Sequence, residues 1–213
     1  MSLLKLDAVI FDFDGTICDS LEVKEEAFGE IYASYGRDIS NKVMAFHRNN
    51  LGVPRDKKFI HFQKNLLNED YSKETISILS NRFSVIVKQK VVDAPLIKGA
   101  LTFLEEFYDT LDIFLSSATP HEELIEITTK KNLSHYFKVI SGSPETKASH
   151  VENALLFGKY KKEKVVYIGD SYQDLLAAEE TGINFLGVGS NNFDKRISTI
   201  ENLDSLSKVL ASL

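Results

Sequence analysis

Two aspartates separated by a single residue, Asp12 and Asp14, come directly after the apolar segment Ala8–Phe11. In an extended chain alternate side chains point the same way, so we expect both carboxylates on one side of the chain. Two negative charges at this distance repel each other strongly unless a cation lies nearby, and Mg²⁺ prefers oxygen ligands. A surface turn also favours Asp and Gly, but the complete string Asp-Phe-Asp-Gly-Thr after an apolar strand favours a site for Mg²⁺ and phosphate.

A second pair of aspartates, Asp170 and Asp174, follows the apolar segment Val165–Ile168. The two lie one helical turn apart, so their side chains face the same way if a helix begins here. An ordinary helix start explains the same residues, with Asp170 or Ser171 as the N-cap and Asp174 in the first turn. Taken alone, this motif leaves both interpretations open.

Small hydroxyl side chains follow another apolar segment, where Ser116 and Ser117 come at the end of a predicted strand. Such hydroxyl groups can bind phosphate oxygens, together with the N–H groups at the start of a helix. Thr119 and the following Pro120 have the order of an N-cap and a first helical residue, with Glu122 completing a capping box. We therefore assign Thr119 to the helix start and leave the two serines free for a ligand.

Lys147 lies in an unfavourable place. Ser143 and Pro144 have the order of an N-cap and a first helical residue, which puts Lys147 near the positive end of a helix dipole. A solvated lysine is the ordinary alternative. The segment follows the apolar run Val139–Ile140, so Lys147 is expected at the same sheet edge as the other motifs and is a candidate for binding an anion.

The motifs need a scaffold that brings strand ends together. Short apolar runs alternate with helical patterns, which predicts an α/β fold with a Rossmann-like parallel sheet whose ligands lie at the carboxyl ends of the strands. Between about Asp19 and Val92 the pattern is helical only, which predicts a helical insert. The predicted core comprises residues 1–17 and 93–213, and the helical insert residues 18–92. The predicted strands are Ala8–Phe11, Ile113–Leu115, Val139–Ile140, Val165–Ile168 and Phe185–Val188.

The composition of the chain argues against several classes of binding partner. The 213 residues carry a net charge of -6 with no long basic run, which argues against a nucleic-acid partner. No apolar run approaches the roughly 18 residues of a membrane span, so no membrane partner is expected. The single cysteine excludes an internal disulfide and fits a reducing compartment. We expect a cytoplasmic enzyme that is a monomer or a homodimer.

One segment of the helical insert, residues 47–64, carries an excess of positive charge. A helix is predicted to begin there, and at roughly 100° per residue Arg55 falls on the apolar stripe of Phe59 and Phe62, with Lys58 beside it. Arg55 can extend past the stripe into solvent or grip an anionic substrate. We hypothesise that Arg55, with Lys58, faces the core site and binds a negative group of the substrate.

The other basic residues of this segment are weaker candidates for substrate binding. Lys57 and Lys64 point the opposite way on the helical wheel and are expected in solvent. His47 lies on an apolar side of its own helix, where a packed histidine is the commoner outcome, but it is kept as a candidate substrate-binding residue.

Taken together and in this order, the four motifs resemble the haloacid dehalogenase-like superfamily. That pattern is Asp-x-Asp, then Ser or Thr after the second strand, then Lys, then Gly-Asp-x-x-x-Asp, and the resemblance covers essentially the whole chain. The helical insert after the first motif is placed like the cap of phosphoglycolate phosphatase-like members. The matching residues are Asp12, Asp14, Ser116, Lys147, Asp170 and Asp174.

The resemblance implies a role for each residue. Asp12 is the nucleophile that forms an aspartyl-phosphate, and Asp14 is the general acid and base. Ser116 and Lys147 bind the phosphoryl oxygens, with Ser117 as a further substrate contact. Mg²⁺ is implied as the cofactor, and the substrate is a small phosphorylated metabolite. The implied metal ligands are Asp12, the backbone carbonyl of Asp14, and Asp170, with support from Asp174.

Two other functions remain as alternatives, and a dehalogenase is set aside. A dehalogenase resembles this motif without the second aspartate, so Asp14 argues for phosphate chemistry. A phosphomutase uses the same residues as a phosphatase and is the enzyme alternative. A non-catalytic binding protein on the same fold is the other, and the intact set of acidic residues and Lys147 argues against it.

Overall fold

The sheet that carries the site is formed by short segments of the chain, each followed by a helix. The structure, a computed structural model, describes residues 6–189 and 193–212. Six parallel strands lie in the order β3-β2-β1-β4-β5-β6. Their bounds are β1 Ala8–Phe11, β2 Asp112–Pro120, β3 Val139–Ser143, β4 Val165–Gly169, β5 Asn184–Val188 and β6 Thr199–Ile200.

In the part of the chain that the structure describes, nine α-helices accompany these strands, and the first five lie between β1 and β2 in the chain. The insert helices are α1 Leu21–Ile31, α2 Arg37–Asn49, α3 Arg55–His61 and α4 Lys73–Asp93, and α3 continues as a π-helical turn over Phe62–Leu67. The core helices are α5 Ala100–Phe107, α6 His121–Lys130, α7 Lys147–Gly158, α8 Tyr172–Thr181 and α9 Leu206–Ser212.

Both faces of the sheet are covered, which is why its strands are apolar on both sides. Along β1 the side chains alternate: Val9 and Phe11 belong to one buried cluster, while Ala8 and Ile10 belong to the other. The second cluster lies under α7 and α8. The predicted α/β class, with its Rossmann-like parallel sheet, is confirmed. Of the strands described, β6 was not predicted, because two residues are too short for a recognisable pattern.

The chain enters and leaves the helical insert through two segments that are hydrogen-bonded to each other. The N–H of Asp19 donates to the carbonyl of Pro95 at 2.9 Å, and the N–H of Ile97 donates to the carbonyl of Ile17 at 2.9 Å. These contacts lie next to the predicted boundaries at residues 18 and 92. The division into two domains stays a prediction, and residues 1–5, 190–192 and 213 of the predicted core lie outside the described residues.

Within the helical insert, buried aromatic rings form the packing centre. Phe28 of α1 lies with its ring centroid 5.4 Å from that of Phe59, 5.7 Å from that of Phe62 and 4.3 Å from that of Phe83. All four side chains are at most 2% exposed. The rings of the insert are part of the larger apolar cluster that also includes Val9 and Phe11 of the sheet. Among the described residues, no helix combines the length and apolarity that crossing a membrane requires.

Replacing one of these rings should weaken folding. We expect Phe62→Ala to lower the free energy of unfolding by about 3–5 kcal/mol, because it removes contacts and leaves a cavity. Ile78→Ala, at a side chain that is 60% exposed on α4, should change it by less than about 0.5 kcal/mol. Denaturant unfolding of both variants measures the difference. Equal effects of the two substitutions would contradict this account of the insert.

Candidate functional site

Asp12 and Asp14 line one cavity but have different partners. Asp12 follows β1, and its N–H donates to the carbonyl of Ile168 on β4 at 2.9 Å. Its carboxylate lies with those of Asp170 and Asp174, whereas the Asp14 carboxylate is held by residues of β2 and α1. The two predicted carboxylates are therefore brought together at the carboxyl edge of the sheet and placed in separate environments.

Three buried carboxylates form a group that can hold a metal ion. Each of Asp12, Asp170 and Asp174 offers one oxygen, and these oxygens lie within 4.8 Å of one another. Glycines permit this approach: a Cβ on Gly15, whose φ is +83°, would clash with the Asp170 carboxylate, and one on Gly169 would clash with the carboxylate of Asp174.

The buried carboxylates of this group favour a bound cation, which would keep them ionised. Burial, and next the charge of Asp174, raise the pKa of Asp12 to about 7. Burial, and next the charge of Asp12, raise the pKa of Asp170 well above its usual range. A hard divalent cation would reverse both effects by favouring the ionised carboxylates, and a donor set made only of oxygens suits such a cation. The residues present therefore fit the implied Mg²⁺.

Lys147 is the protein's own cation in this group. Its Nζ lies 3.0 Å from Oδ1 of Asp12 and 2.5 Å from Oδ1 of Asp174, and the residue is buried. Burial opposes its charge, but the two carboxylates outweigh burial and raise the pKa of Lys147 well above its usual range. The helix start differs from the prediction. Thr146 is the N-cap of α7 and accepts from the N–H of Ser149, so Ser143 and Pro144 precede the helix.

Asp174 takes part in the helix start that one interpretation of its motif predicted. The N–H of Ser171 donates to Oδ2 of Asp174 at 3.0 Å and the Ser171 hydroxyl at 2.5 Å, which completes a capping box at the start of α8. The other oxygen accepts from Lys147. The capping bonds thus hold the carboxylate in a fixed orientation toward Lys147.

The structure separates the two serines of β2. Ser117 lines the cavity, and its hydroxyl donates to Oδ2 of Asp14 at 3.3 Å. Ser116 lies on the other face of the sheet, where its hydroxyl is 2.8 Å from Nδ1 of His150. The expectation that Ser116 contacts the phosphoryl group is therefore corrected to Ser117. The reason is strand alternation: β2 continues to Pro120, so neighbouring serines face opposite ways.

Three residues around Asp14 were missed or misassigned. Lys24 Nζ lies 2.5 Å from Oδ2 of Asp14. The hydroxyl of Thr119 donates to the same oxygen at 3.0 Å, and that of Ser20 donates to Oδ1 at 2.7 Å. Thr119 does not cap a helix, because Pro120 is the N-cap of α6. The sequence pattern could have indicated Lys24, since it lies on the apolar stripe of α1 together with Phe28.

These partners decide the ionisation of Asp14. Burial alone would raise its pKa, but the charge of Lys24 and hydrogen bonds from Lys24, Ser20 and Thr119 outweigh burial, so the pKa of Asp14 lies below its usual range. The pKa values of Asp12 and Asp14 are thus shifted in opposite directions.

The helical insert closes the cavity with Lys58 and His47. Lys58 Nζ is 2.8 Å from Nδ1 of His47 and 5.6 Å from the centre of the Phe28 ring. Burial, and next the charge of Lys24, lower the pKa of Lys58 to about 7, while burial and then Lys58 lower that of His47 to about 2. Within the described residues, no carboxylate forms an ion pair with Lys58, so it remains available to an anion in the cavity.

The Arg55 side chain forms an ion pair and a hydrogen bond with other residues of the protein. Its Nη2 lies 2.5 Å from Oε1 of Glu123 on α6, and its Nη1 donates to the hydroxyl of Ser84 at 2.7 Å. The guanidinium lies 4.7 Å from the centre of the Phe83 ring. This corrects the expectation that Arg55 binds a negative group of the substrate: a carboxylate of the core already offsets its charge. Lys57 and Lys64 are exposed, as predicted.

Comparison with known proteins agrees with this geometry. Residues 9–188 match the family model described as haloacid dehalogenase-like hydrolase. The chain is 25% identical over 189 residues to the phosphorylated carbohydrates phosphatase of Thermotoga maritima, covering 84% of this chain and 82% of that protein. It is 24% identical over 188 residues to the phosphoglycolate phosphatase of Photorhabdus laumondii, covering 85% and 79%. A haloacid dehalogenase-like family protein from Streptococcus pneumoniae shares the fold, with a TM-score of 0.70, 22% identity, and coverage of 96% and 98%.

The three buried carboxylates predict that the protein binds Mg²⁺, and this binding can be measured without a substrate. Mg²⁺ at about 100 times its dissociation constant should stabilise the protein by about 2.7 kcal/mol, which corresponds to a rise in Tm of about 5–10 °C for a chain of this size. Asp170→Asn should remove most of this rise, whereas Asp109→Asn, at an exposed position of the core, should keep it. Thermal unfolding with and without Mg²⁺ measures both. An undiminished rise in the Asp170 variant would contradict the assignment.

Proposed function

Because this chain belongs to the haloacid dehalogenase-like hydrolase family, we propose that it is a Mg²⁺-dependent phosphatase that hydrolyses a small phosphorylated metabolite through an aspartyl-phosphate on Asp12. Family membership and the enzyme class, a phosphoric monoester hydrolase, confirm the predictions made from the sequence. The identity of the metal, the substrate and the individual residue roles belong to the proposal.

The observation that carries the proposal is the opposite treatment of two carboxylates in one cavity. Asp12 lies beside Lys147 and the other acidic groups, which suits a nucleophile that must approach a phosphoryl group. Asp14 is surrounded by donors from both the helical insert and β2, which suits the residue that exchanges a proton with the leaving oxygen. A bound dianionic phosphoryl group would raise the pKa of Asp14, because like charges favour the protonated acid.

The metal would be held by Asp12, Asp170 and the backbone carbonyl of Asp14, with Asp174 supporting them. When bound, the divalent cation supplies positive charge that offsets the negative charge of the phosphoryl group. Asp174 acts through Lys147, which it orients at 2.5 Å.

The phosphoryl oxygens would be bound by side chains from both parts of the chain. Lys147 approaches from α7 and Ser117 from β2, and Lys58 with its partner His47 covers them from the insert. Positive charge placed where the transferred group becomes most negative lowers the barrier of the reaction. His47, which stays neutral, holds the Lys58 amine in place.

The printed names of relatives support a small phosphorylated substrate without selecting one. One is a phosphatase of phosphorylated carbohydrates and the other a phosphoglycolate phosphatase. No contact of the described residues favours a phosphomutase, which would use the same groups. A cytoplasmic location, a monomeric or homodimeric state, and the absence of nucleic-acid and membrane partners complete the proposal and rest on the composition.

Replacing one carboxylate oxygen of Asp12 tests whether this residue is the nucleophile. Asp12→Asn should lower kcat for 4-nitrophenyl phosphate with Mg²⁺ by about a thousandfold or more, because the amide cannot attack phosphorus. Asp38→Asn, at an exposed position of α2, is the matched control and should keep full activity. Trapping of the acyl phosphate with hydroxylamine, seen in the wild type and absent in the variant, identifies the intermediate. Wild-type turnover in the Asp12 variant would refute the mechanism.

The two serines of β2 allow a direct comparison of two alanine variants. Ser117→Ala should lower kcat/KM by about 10- to 100-fold, since a hydrogen bond to a charged group contributes about 1.5–3 kcal/mol. Ser116→Ala should leave kcat/KM nearly unchanged and instead lower stability by about 1 kcal/mol, because it leaves His150 without its buried partner. Steady-state kinetics and denaturant unfolding measure both effects. The reverse pattern would restore Ser116 as the phosphate contact.

A further inference from the structure

Two adjoining cavities of very different size meet at the site. The inner cavity, which contains Asp12 and Asp14, has a volume of about 50 Å³. The outer cavity, between the start of α3 and the helices α7 and α8, has a volume of about 380 Å³. The two share the lining residues Gly52, Arg55, Ser117, Ala118 and Lys147.

The inner cavity is too small for more than the reacting group. Its volume is a small fraction of that of the outer cavity, so it has room for a phosphoryl group but not also for a leaving group of several carbon atoms. On the side of the helical insert, Phe28 and Phe83 close it with side chains that are at most 2% exposed. A leaving group attached to that phosphoryl group must therefore extend past Gly52 and Ala118 into the outer cavity.

The outer cavity has the size of a binding site for a whole molecule. Its volume lies in the range of roughly 300–1,000 Å³ that is usual for small-molecule sites. Pro120, Pro144 and Leu176 supply apolar surface, and Ser143 and Gln173 offer hydrogen-bonding groups. This mixture suits a molecule with both carbon surface and hydroxyl groups.

The charges around the outer cavity disfavour a second anion. Arg55 and Lys147 line it, but each is already paired with carboxylates, Arg55 with Glu123 and Lys147 with Asp12 and Asp174. The remaining charged groups at its edge are one lysine against three exposed carboxylates: Lys57 with Asp56, Glu145 and Glu180. A second phosphate or a carboxylate on the leaving group would meet net repulsion there.

We propose that the outer cavity binds the leaving group, and that the preferred substrate is the phosphomonoester of an uncharged polyhydroxy alcohol of about hexose size. This inference rests on the proposed phosphatase function and adds the substrate class. It separates such esters from phosphorylated acids and from bisphosphates, which share the reacting group but place a second negative charge in the outer cavity.

The first experiment compares three kinds of substrate on the wild-type enzyme with Mg²⁺. The probes are hexose-sized monophosphates (glucose 6-phosphate, mannose 6-phosphate and sorbitol 6-phosphate), 2-phosphoglycolate, and fructose 1,6-bisphosphate. The best monophosphate should exceed the other two kinds in kcat/KM by at least about tenfold, a modest ratio for a pocket of matching shape. A preference for phosphoglycolate or for the bisphosphate would overturn the proposal.

The second experiment fills the outer cavity. Leu176 is 37% exposed at its wall, so the fold should tolerate Leu176→Trp, which should lower the ratio of kcat/KM between the best hexose-sized substrate and phosphoglycolate by about tenfold. The same exchange at Leu156, which is 75% exposed on α7 outside the cavity, should leave that ratio unchanged. Equal losses on both substrates in the Leu176 variant would show that the cavity does not hold the leaving group.

A binding measurement keeps this inference separate from the proposed function. If the wild type fails to hydrolyse 4-nitrophenyl phosphate and all the probes, the phosphatase function itself is refuted. Titration calorimetry of the Asp12→Asn protein with the hexose-sized monophosphates then tests the cavity without turnover. Binding that the Leu176→Trp exchange weakens supports the outer cavity as the site for the alcohol, and binding that the exchange leaves unchanged, or no binding, overturns it.

Discussion

Repulsion among buried carboxylates is the constraint on which the arrangement of this molecule depends. Asp12, Asp170 and Asp174 are held within a few ångströms of one another, away from water, and such a group is strongly unfavourable unless positive charge accompanies it. Lys147 supplies part of that charge from within the chain. The remaining negative charge is what would favour a divalent cation at this edge of the sheet, in keeping with the function that we propose.

The order of the strands explains how residues far apart in the chain reach one point. β1 lies in the middle of the sheet, with β2 on one side and β4 on the other. The parallel register of β1 and β4 pairs Phe11 with Ile168, so the carboxylates that follow each strand become neighbours. Ser117 arrives from β2 on the opposite side. Chain connections reverse direction between β1 and β4, which is where an open parallel sheet leaves a crevice for a ligand.

Much of this was readable from the sequence, and the failures have physical causes. Five of the six described strands and the acidic motifs follow local patterns, and these were predicted. The resemblance gave Ser116 the main phosphoryl contact and Ser117 a further one. The strand was predicted to end at Leu115, but β2 continues to Pro120, and neighbouring side chains of a strand face opposite ways. Thr119 resembled a helix cap because Thr-Pro is also a common helix start. The partner of Arg55 could not be read locally, since Glu123 lies 68 residues further along the chain.

The cations of the helical insert show why its position matters to the chemistry of the core. Lys24 and Arg55 each form a buried ion pair with a core carboxylate, Asp14 and Glu123 respectively, whereas the exposed pair between Lys88 and Glu126 adds little. Removing one partner of a buried pair leaves the other charge without compensation, so these two ion pairs join the insert to the core in a way that a substitution at either partner would disrupt. The ionisation of Asp14 depends on Lys24. The position of α1 therefore helps to set the pKa of Asp14, the residue that we propose exchanges a proton with the leaving oxygen.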